Sequence, residues 1–357
     1  MGSTSCPNAW KPRAISFSSG GVRTLGQIGV LAKLRDAGVL DEIRDWYGCS
    51  GGALTALLGA IGASHAWLRD AIEHYNTQPL GAPDPELITN YFDTWGINSG
   101  VLLMEYMGKF VDTWEPGLSQ WTFADLAAKY PDTTLTIIAT NISRGAQAVF
   151  NTKQTPDMRI MDALRASMSI PLFFTPWIDA SGELYCDGAV WEYFPWKCVP
   201  NQADTLVVVT KDVSIAGRDL SVKKPITTFG DYLSQIYTVA YNAHNRWKPR
   251  NWIAINTDGA GGMDFSVSKD ERLQLYAAGV AAAAGWLEFR RKIAAGGKPL
   301  SPPESAHPRT SESSHHSRRS SKDIPAPATC TVPASLHPQG PLHLSCRARP
   351  GGRRWSL

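Results

Sequence analysis

Apolar residues fall into two kinds of run along this chain: short continuous blocks, and longer stretches where they return every three or four positions. Arg13-Ala14-Ile15-Ser16-Phe17-Ser18 reads as a buried strand that Ser19-Gly20-Gly21 breaks. Gly26 to Ala37 then keeps helical period through Ile28, Val30, Leu31 and Leu34. A segment carrying Ile43, Trp46 and Tyr47, interrupted by Arg44 and Asp45, predicts a second strand, and the small-residue run from Ala53 to Ala63 predicts the helix after it. Further helices are predicted over His65 to Tyr75, Val101 to Trp114, Thr122 to Lys129, Met158 to Met168, residues 229–246 and residues 268–293. Strands are predicted over Thr134 to Thr140, with Ala146 to Asn151 as hairpin partner, and over Leu184 to Cys186, Thr205 to Thr210 and residues 252–256. Residues 76–100 are punctuated by Pro, Gly and Asn and predict an irregular insertion. Strands that alternate with helices and are apolar throughout predict an α/β fold. Its form is three-layer α/β/α around a central, mostly parallel sheet covered on both faces.

At 357 residues, 43% hydrophobic and 19% charged, the chain has room for a sizeable core. Its net charge of +3 is unevenly placed. From Lys298 to Leu357, nine Lys/Arg face three Asp/Glu, and ten of the 24 prolines fall there. That stretch has no apolar period and cannot offset its ordering entropy, so it predicts a disordered, solvated tail. The expected organisation is an N-terminal extension over residues 1–12, one folded domain over 13–295 and the tail over 296–357. The tail's charge could attract anionic lipid or nucleic acid weakly. The solvated reading is preferred, and no nucleic-acid partner is expected. Six cysteines show no paired spacing, and the first residues lack an apolar signal core, so free thiols, no signal peptide and a cytoplasmic setting are expected. The longest apolar stretch, Leu275 to Leu287, is 13 residues and dominated by alanine. A bilayer span needs about 20, so no transmembrane helix is expected.

Gly48-Cys49-Ser50-Gly51-Gly52 carries the chemistry. It is a Gly-x-Ser-x-Gly motif between a predicted strand and a predicted helix, the setting in which a serine is exposed on a sharp turn. The helix N-terminus beside the hydroxyl favours developing negative charge. Ser19-Gly20-Gly21-Val22-Arg23 also opens a helix after a strand, and its N–H groups suit an anion. It lacks the Gly-x-Gly-x-x-Gly fingerprint of a dinucleotide site and the Gly-Lys-Ser/Thr of a P-loop, so an oxyanion role fits better. The base is less plain. Five of the eight histidines lie in the tail, His65 and His74 fall on helical surfaces, and His244 lies inside a predicted helix. Asp187 follows a short apolar strand, precedes Gly188 and is bordered by Trp177, Trp191 and Phe194. Apolar walls would raise its pKa towards that of a useful base. On local sequence alone, Asp187-Gly188 reads as an ordinary turn, and that reading wins.

Taken together these blocks resemble the patatin-like phospholipase family. Ile15 to Arg23, followed by Gly29-Val30-Leu31, resembles the family's glycine-rich oxyanion loop and first helix, and Gly48 to Gly52 its nucleophile elbow. Ile138-Ala139-Thr140-Asn141 with Val149-Phe150 is similar to a mid-domain strand pair. Ala163 to Pro171 resembles the segment leading to the catalytic aspartate, and Asp187-Gly188-Ala189-Val190 with Pro195 the motif that completes a dyad.

The resemblance implies a Ser-Asp dyad with no histidine: Ser50 as nucleophile, Asp187 as base, and Gly20 and Gly21 as oxyanion-hole donors. Arg23 is implied near a lipid phosphate, or as a brace for its own loop. The implied reaction is cleavage of fatty-acyl esters of phospholipids or glycerolipids, of phospholipase A type, through an acyl-enzyme, with no metal and no cofactor. A triacylglycerol or small-ester hydrolase, or a scaffold that binds lipid or protein without turnover, shares the pattern. Ser19 replaces the family's first loop glycine and Thr24 its last, so a Ser19 of positive φ would strain the loop. Glu192 and Tyr193 stand where the family usually has asparagine. A bilayer substrate requires a peripheral membrane surface, and the apolar segment Leu87 to Met107 reads either as such a patch or lid or as core.

Overall fold

The computed structural model describes residues 10–74, 78–211, 251–257 and 261–296, with isolated positions between 226 and 249. The helix expected over 229–246 with His244, the tail and most of the N-terminal extension lie outside the described residues.

Eight strands form one mixed sheet: β1 (Ala14–Phe17), β2 (Asp45–Cys49), β3 (Thr134–Asn141), β4 (Ala146–Phe150), β5 (Trp177–Ile178), β6 (Leu184–Cys186), β7 (Thr205–Lys211) and β8 (Trp252–Asn256). The order β3-β2-β1-β7-β8 is parallel throughout. The other end is antiparallel, with β4 and β6 on β3 and β5 on β6. The two-residue β5 is too short to leave a periodic signal in the sequence.

Alternation along the central strands explains why they read as continuous apolar blocks. Ile15 and Phe17 of β1 and Leu206 and Val208 of β7 enter the main core. Ala14, Val207 and Val209 point to the opposite face, where Phe194, Trp196 and Val199 cover them. Both faces are therefore buried, which removes the polar half of the strand pattern. On the main face lie α1 (Leu25–Asp36), α2 (Gly51–Ala60), α3 (His65–His74) and α8 (Ile160–Ser167). A long C-terminal helix, α9 (Lys269–Ala294), joins them. It starts at a capping box in which Ser268 and Glu271 satisfy each other's backbone N–H. Among the described residues no helix is long and apolar enough to cross a membrane.

The irregular insertion expected over 76–100 is partly helical: α4 (Pro85–Thr89) and α5 (Tyr91–Thr94) are each a turn or so long. They precede α6 (Val101–Asp112), and α7 (Phe123–Lys129) follows, capped by Thr122. The surroundings of Leu87 to Met107 divide it residue by residue: Leu103 and Met107 are core, while Ile88, Phe92, Trp95, Val101 and Leu102 are exposed.

Helices α1 and α9 meet backbone to backbone. A Cβ on Gly29 would lie 2.1 Å from the Tyr276 carbonyl oxygen, and one on Gly279 would lie 1.8 Å from that of Gly26. No side chain can yield there, so the helices must part. Gly279→Ala is expected to cost about 1–3 kcal/mol in urea unfolding, the usual penalty of overpacking. Gly108→Ala in α6 has its nearest neighbour at 3.3 Å. There the better helix propensity of alanine, worth about 1 kcal/mol, leaves stability at or above that of the parent.

Candidate active site

Ser50 sits between β2 and α2 with φ 54 and ψ −131, a backbone region that a residue with a side chain enters at a cost of about 1–3 kcal/mol. Close packing imposes it. A Cβ on Gly48 would lie 2.4 Å from Ala53 Cα, and one on Gly52 would lie 2.3 Å from the Ser18 carbonyl oxygen. Only glycine at both places lets the strand turn this sharply into the helix. The Ser50 N–H donates to Ser167 Oγ at 2.8 Å, and that hydroxyl donates to the Ile138 carbonyl at 2.6 Å.

Topology brings Asp187 to the same place. β2 ends at Cys49, opposite Ile138 of β3. β3 runs on to Asn141, and β6 pairs with Thr140 and Asn141. β4 occupies the other edge of those same residues, so β2 and β6 share one edge end to end. The residue after Cys186 therefore meets the residue after Cys49. Ser50 Oγ donates to Asp187 Oδ2 at 2.6 Å, across 137 positions of sequence. The Asp187 N–H donates to the Ser169 carbonyl at 2.8 Å, Thr140 Oγ1 donates to the Asp187 carbonyl at 2.9 Å, and the Ala189 N–H donates to Asp187 Oδ1 at 2.8 Å.

Both side chains are buried, Ser50 at 3% exposure and Asp187 at 2%. Burial raises the Asp187 pKa to about 6, against the opposing pull of its hydrogen bonds from Ser50 and Ala189. A carboxylate so placed accepts a proton far more readily than an exposed one, and the hydroxyl proton already points at it. Of the expected aromatic wall, Trp177 packs on Tyr185, Phe194 on Trp196, and Trp191 is exposed.

The glycine loop lies across from this pair. Among the described residues the Gly20 and Gly21 N–H groups have no hydrogen-bond partner. Those of Ser18, Ser19, Val22 and Arg23 go to Val208, Tyr193, Gly262 and Gly20 carbonyls. Gly21 has φ 55, and a Cβ there would lie 1.9 Å from the Gly262 carbonyl oxygen. Ser19 is not among the described residues of positive φ, so its substitution for glycine adds no strain. Thr24 is helical, donates to the Gly21 carbonyl at 2.6 Å and sits against Gly51, which ties the loop to the elbow. Arg23 lies against Gly262.

A pocket of about 790 Å³, counting open solvent at its mouth, is lined in part by Gly21, Ser50 and Gly51. Leu54, Ile72, Leu103, Met107, Phe174 and Phe265 also line it, while Arg23 does not border it although Val22 and Thr24 do. Its size and apolar walls suit a hydrocarbon chain.

His65 pairs with Asp36 and His74 with Asp70, both exposed and away from this pair. Cys49 and Cys186 are buried free thiols, and burial pushes the Cys186 pKa up to about 12. Ser167, Ser169 and Thr140 hold the pair in place but carry no sequence signal beyond ordinary polar residues in apolar segments. Glu192 is buried beside them, accepts from Gln147 Nε2 at 3.0 Å, and has its pKa raised by burial. Its carbonyl lies 3.5 Å from Cys49 Sγ.

Comparison with known proteins bears on the family and the fold. A probable lipid hydrolase, 463L of Invertebrate iridescent virus 6, is 39% identical over 61 residues, which is 17% of this chain and 21% of that protein. The match thus spans about a fifth of that relative's length. The uncharacterized protein R571 of Acanthamoeba polyphaga mimivirus is 21% identical over 278 residues, covering 74% of this chain and 90% of that one. Among solved structures, VipD from Legionella pneumophila shares the fold at TM-score 0.53 and 16% identity, over 78% of this chain and 67% of that chain. The profile of the patatin-like phospholipase family matches residues 15–197, a span holding both the Ser50 elbow and Asp187. The chain belongs to the patatin-like phospholipase family.

Proposed function

We propose that the protein is a lipid acyl hydrolase of phospholipase A type that works through a Ser50–Asp187 dyad. Family membership supports lipid hydrolysis in general. The single observation that carries the finer reading is the 2.6 Å hydrogen bond from Ser50 Oγ to Asp187 Oδ2 at the head of an apolar pocket. Asp187 takes the hydroxyl proton as Ser50 Oγ attacks the ester carbonyl. The oxyanion forms against the Gly20 and Gly21 N–H groups, which have no competing acceptor among the described residues. The carbonyl then reforms, the alcohol or lysolipid leaves with the proton from Asp187, and an acyl-Ser50 ester remains. Water gives its proton to Asp187, attacks that ester and releases the fatty acid, and Ser50 recovers its proton. The pocket holds the acyl chain, Arg23 packs against Gly262 outside it, and no metal or cofactor takes part. The acting unit is the folded part of the chain, over residues 13–295.

Ser50→Ala and Asp187→Asn are each expected to lower release of fatty acid from phospholipids and glycerides about a thousandfold or more. The double variant is expected to be no worse than either single one, and a chelator to change nothing. His65→Ala and His74→Ala should leave the rate unaltered. Equal turnover by Ser50→Ala and the parent on every ester tested would refute the reading.

The base must be ionised to act. The rate on a soluble ester is therefore expected to fall on the acid side with an apparent pKa near the Asp187 value of about 6, not the ordinary 3.8. Asp187→Asn should remove that limb from the residual rate.

The same shift has a stability consequence. The folded state disfavours ionised Asp187, so stability is lost as pH rises from 3.8 through about 6 and stays lost above it. At about 1.4 kcal/mol per pKa unit the loss is about 3 kcal/mol. Asp187→Asn is expected to raise the urea midpoint at about pH 8 and not at about pH 4. A midpoint shift of equal size at both values would assign the effect to something other than this ionisation.

A further inference from the structure

Several large apolar side chains that folding would ordinarily cover are exposed within one stretch of the chain. Phe92 is 89% exposed, Leu102 52% and Trp95 51%, and Ile88 and Val101 are exposed beside them in sequence. They come from α4, α5 and the first turn of α6. Leu172, also exposed, joins from a distant segment. The N–H groups of Ile97 and Asn98 both donate to the Phe173 carbonyl at 2.9 Å, and Asn98 bridges to Phe174, so the two segments lie side by side.

Trp95 (φ 57) and Leu172 (φ 67) both occupy the left-handed backbone region. Bulky residues are rarely found there, and persist only where the surrounding structure holds them. The Trp95 N–H is fixed to the Tyr91 carbonyl at 2.8 Å, and Gly96 packs so tightly on Phe174 that a Cβ would lie 2.5 Å from its carbonyl carbon. This surface is built, not frayed.

Two of these residues neighbour pocket-lining ones along the chain. Leu102 is followed by Leu103, which lines the pocket, and Leu172 lies between Ile170 and Phe174, which both line it. Charge then narrows what the surface can meet. Between residues 84 and 109 stand Asp84, Glu86, Asp93 and Glu105, with Lys109 the one Lys or Arg. A rim of net −3 is repelled by an anionic leaflet, whereas insertion of aromatic and aliphatic side chains needs no opposite charge.

We propose that Ile88, Phe92, Trp95, Val101, Leu102 and Leu172 dock the protein on a lipid surface of zwitterionic or uncharged lipid, from which an acyl chain passes into the adjoining pocket. The proposal rests on the reading of the Ser50 site as a lipid acyl hydrolase, but docking itself needs no turnover.

The test uses the full chain carrying Ser50→Ala, so that vesicles stay intact, in flotation with phosphatidylcholine vesicles and with phosphatidylserine-rich ones. Binding to phosphatidylcholine is expected, with little loss in high salt. Adding Phe92→Ser and Leu102→Ser should weaken it about tenfold or more, from the apolar area withdrawn. With Ser50 restored, that double variant should still cleave a soluble short-chain nitrophenyl ester at the parent rate and lose cleavage of vesicle phosphatidylcholine. Equal vesicle binding by double variant and parent would overturn the docking surface. So would binding confined to phosphatidylserine and abolished by salt, which would assign contact to cationic side chains elsewhere. If the protein floats as expected but the restored parent cleaves neither ester, the hydrolase reading fails and the docking surface stands.

Discussion

β3 outruns β2 along the edge they share: β2 stops opposite Ile138, and β3 continues to Asn141. The backbone groups exposed by that overhang require partners. β6 supplies them, arriving antiparallel at Thr140 and Asn141. Two chain ends thus converge at one gap in the sheet, one leaving β2 as Ser50 and the other leaving β6 as Asp187. Their 2.6 Å contact is a consequence of how sheet hydrogen bonds are completed. The glycine loop obeys the same geometry, since β1 lies next to β2 and ends level with it, Phe17 opposite Gly48.

This convergence places unfavourable features together. Ser50 holds a strained backbone, Asp187 and Glu192 are buried carboxyls with raised pKa values, and two loop N–H groups lack partners among the described residues. Each costs stability and persists only where neighbours over-determine it. The neighbours are visible: Ser167 and Ser169 of the α8 segment fix the backbones of Ser50 and Asp187, and Gly52 packs on the Ser18 carbonyl. Arg165 in the same segment is buried and donates to Ser99 and Thr175 carbonyls, each at 2.8 Å. It therefore ties this frame to the start of α6, and through α6 to the docking surface.

Much of this was legible in the sequence, for physical reasons that differ by element. The central strands announce themselves as continuous apolar blocks because both faces of the sheet are covered, and α1, α2 and α9 as longer runs of apolar and small residues. The Ser50 elbow is legible because a strand-to-helix turn this tight admits only glycine at Gly48 and Gly52. Asp187 is different. An Asp-Gly after a short strand is what any turn looks like, and only the overhang of β3, invisible locally, brings it to Ser50. Ser167, Ser169 and Thr140 act through single hydrogen bonds to backbone groups, which impose no pattern on the sequence. α4 and α5 were hidden because each is too short for a helical period to repeat. The exposure of Phe92 and Trp95 could not be read either, since apolar residues are normally core.

The packing of α1 against α9 joins the first and last α-helices among the described residues, through Gly26, Gly29 and Gly279. The Val22 N–H likewise waits for the carbonyl of Gly262. During synthesis the ribosome therefore releases the serine elbow more than two hundred residues before the pieces that clamp its neighbouring loop. A nascent or truncated chain that stops before Gly262 lacks the hydrogen bond that holds Val22 beside Gly20 and Gly21.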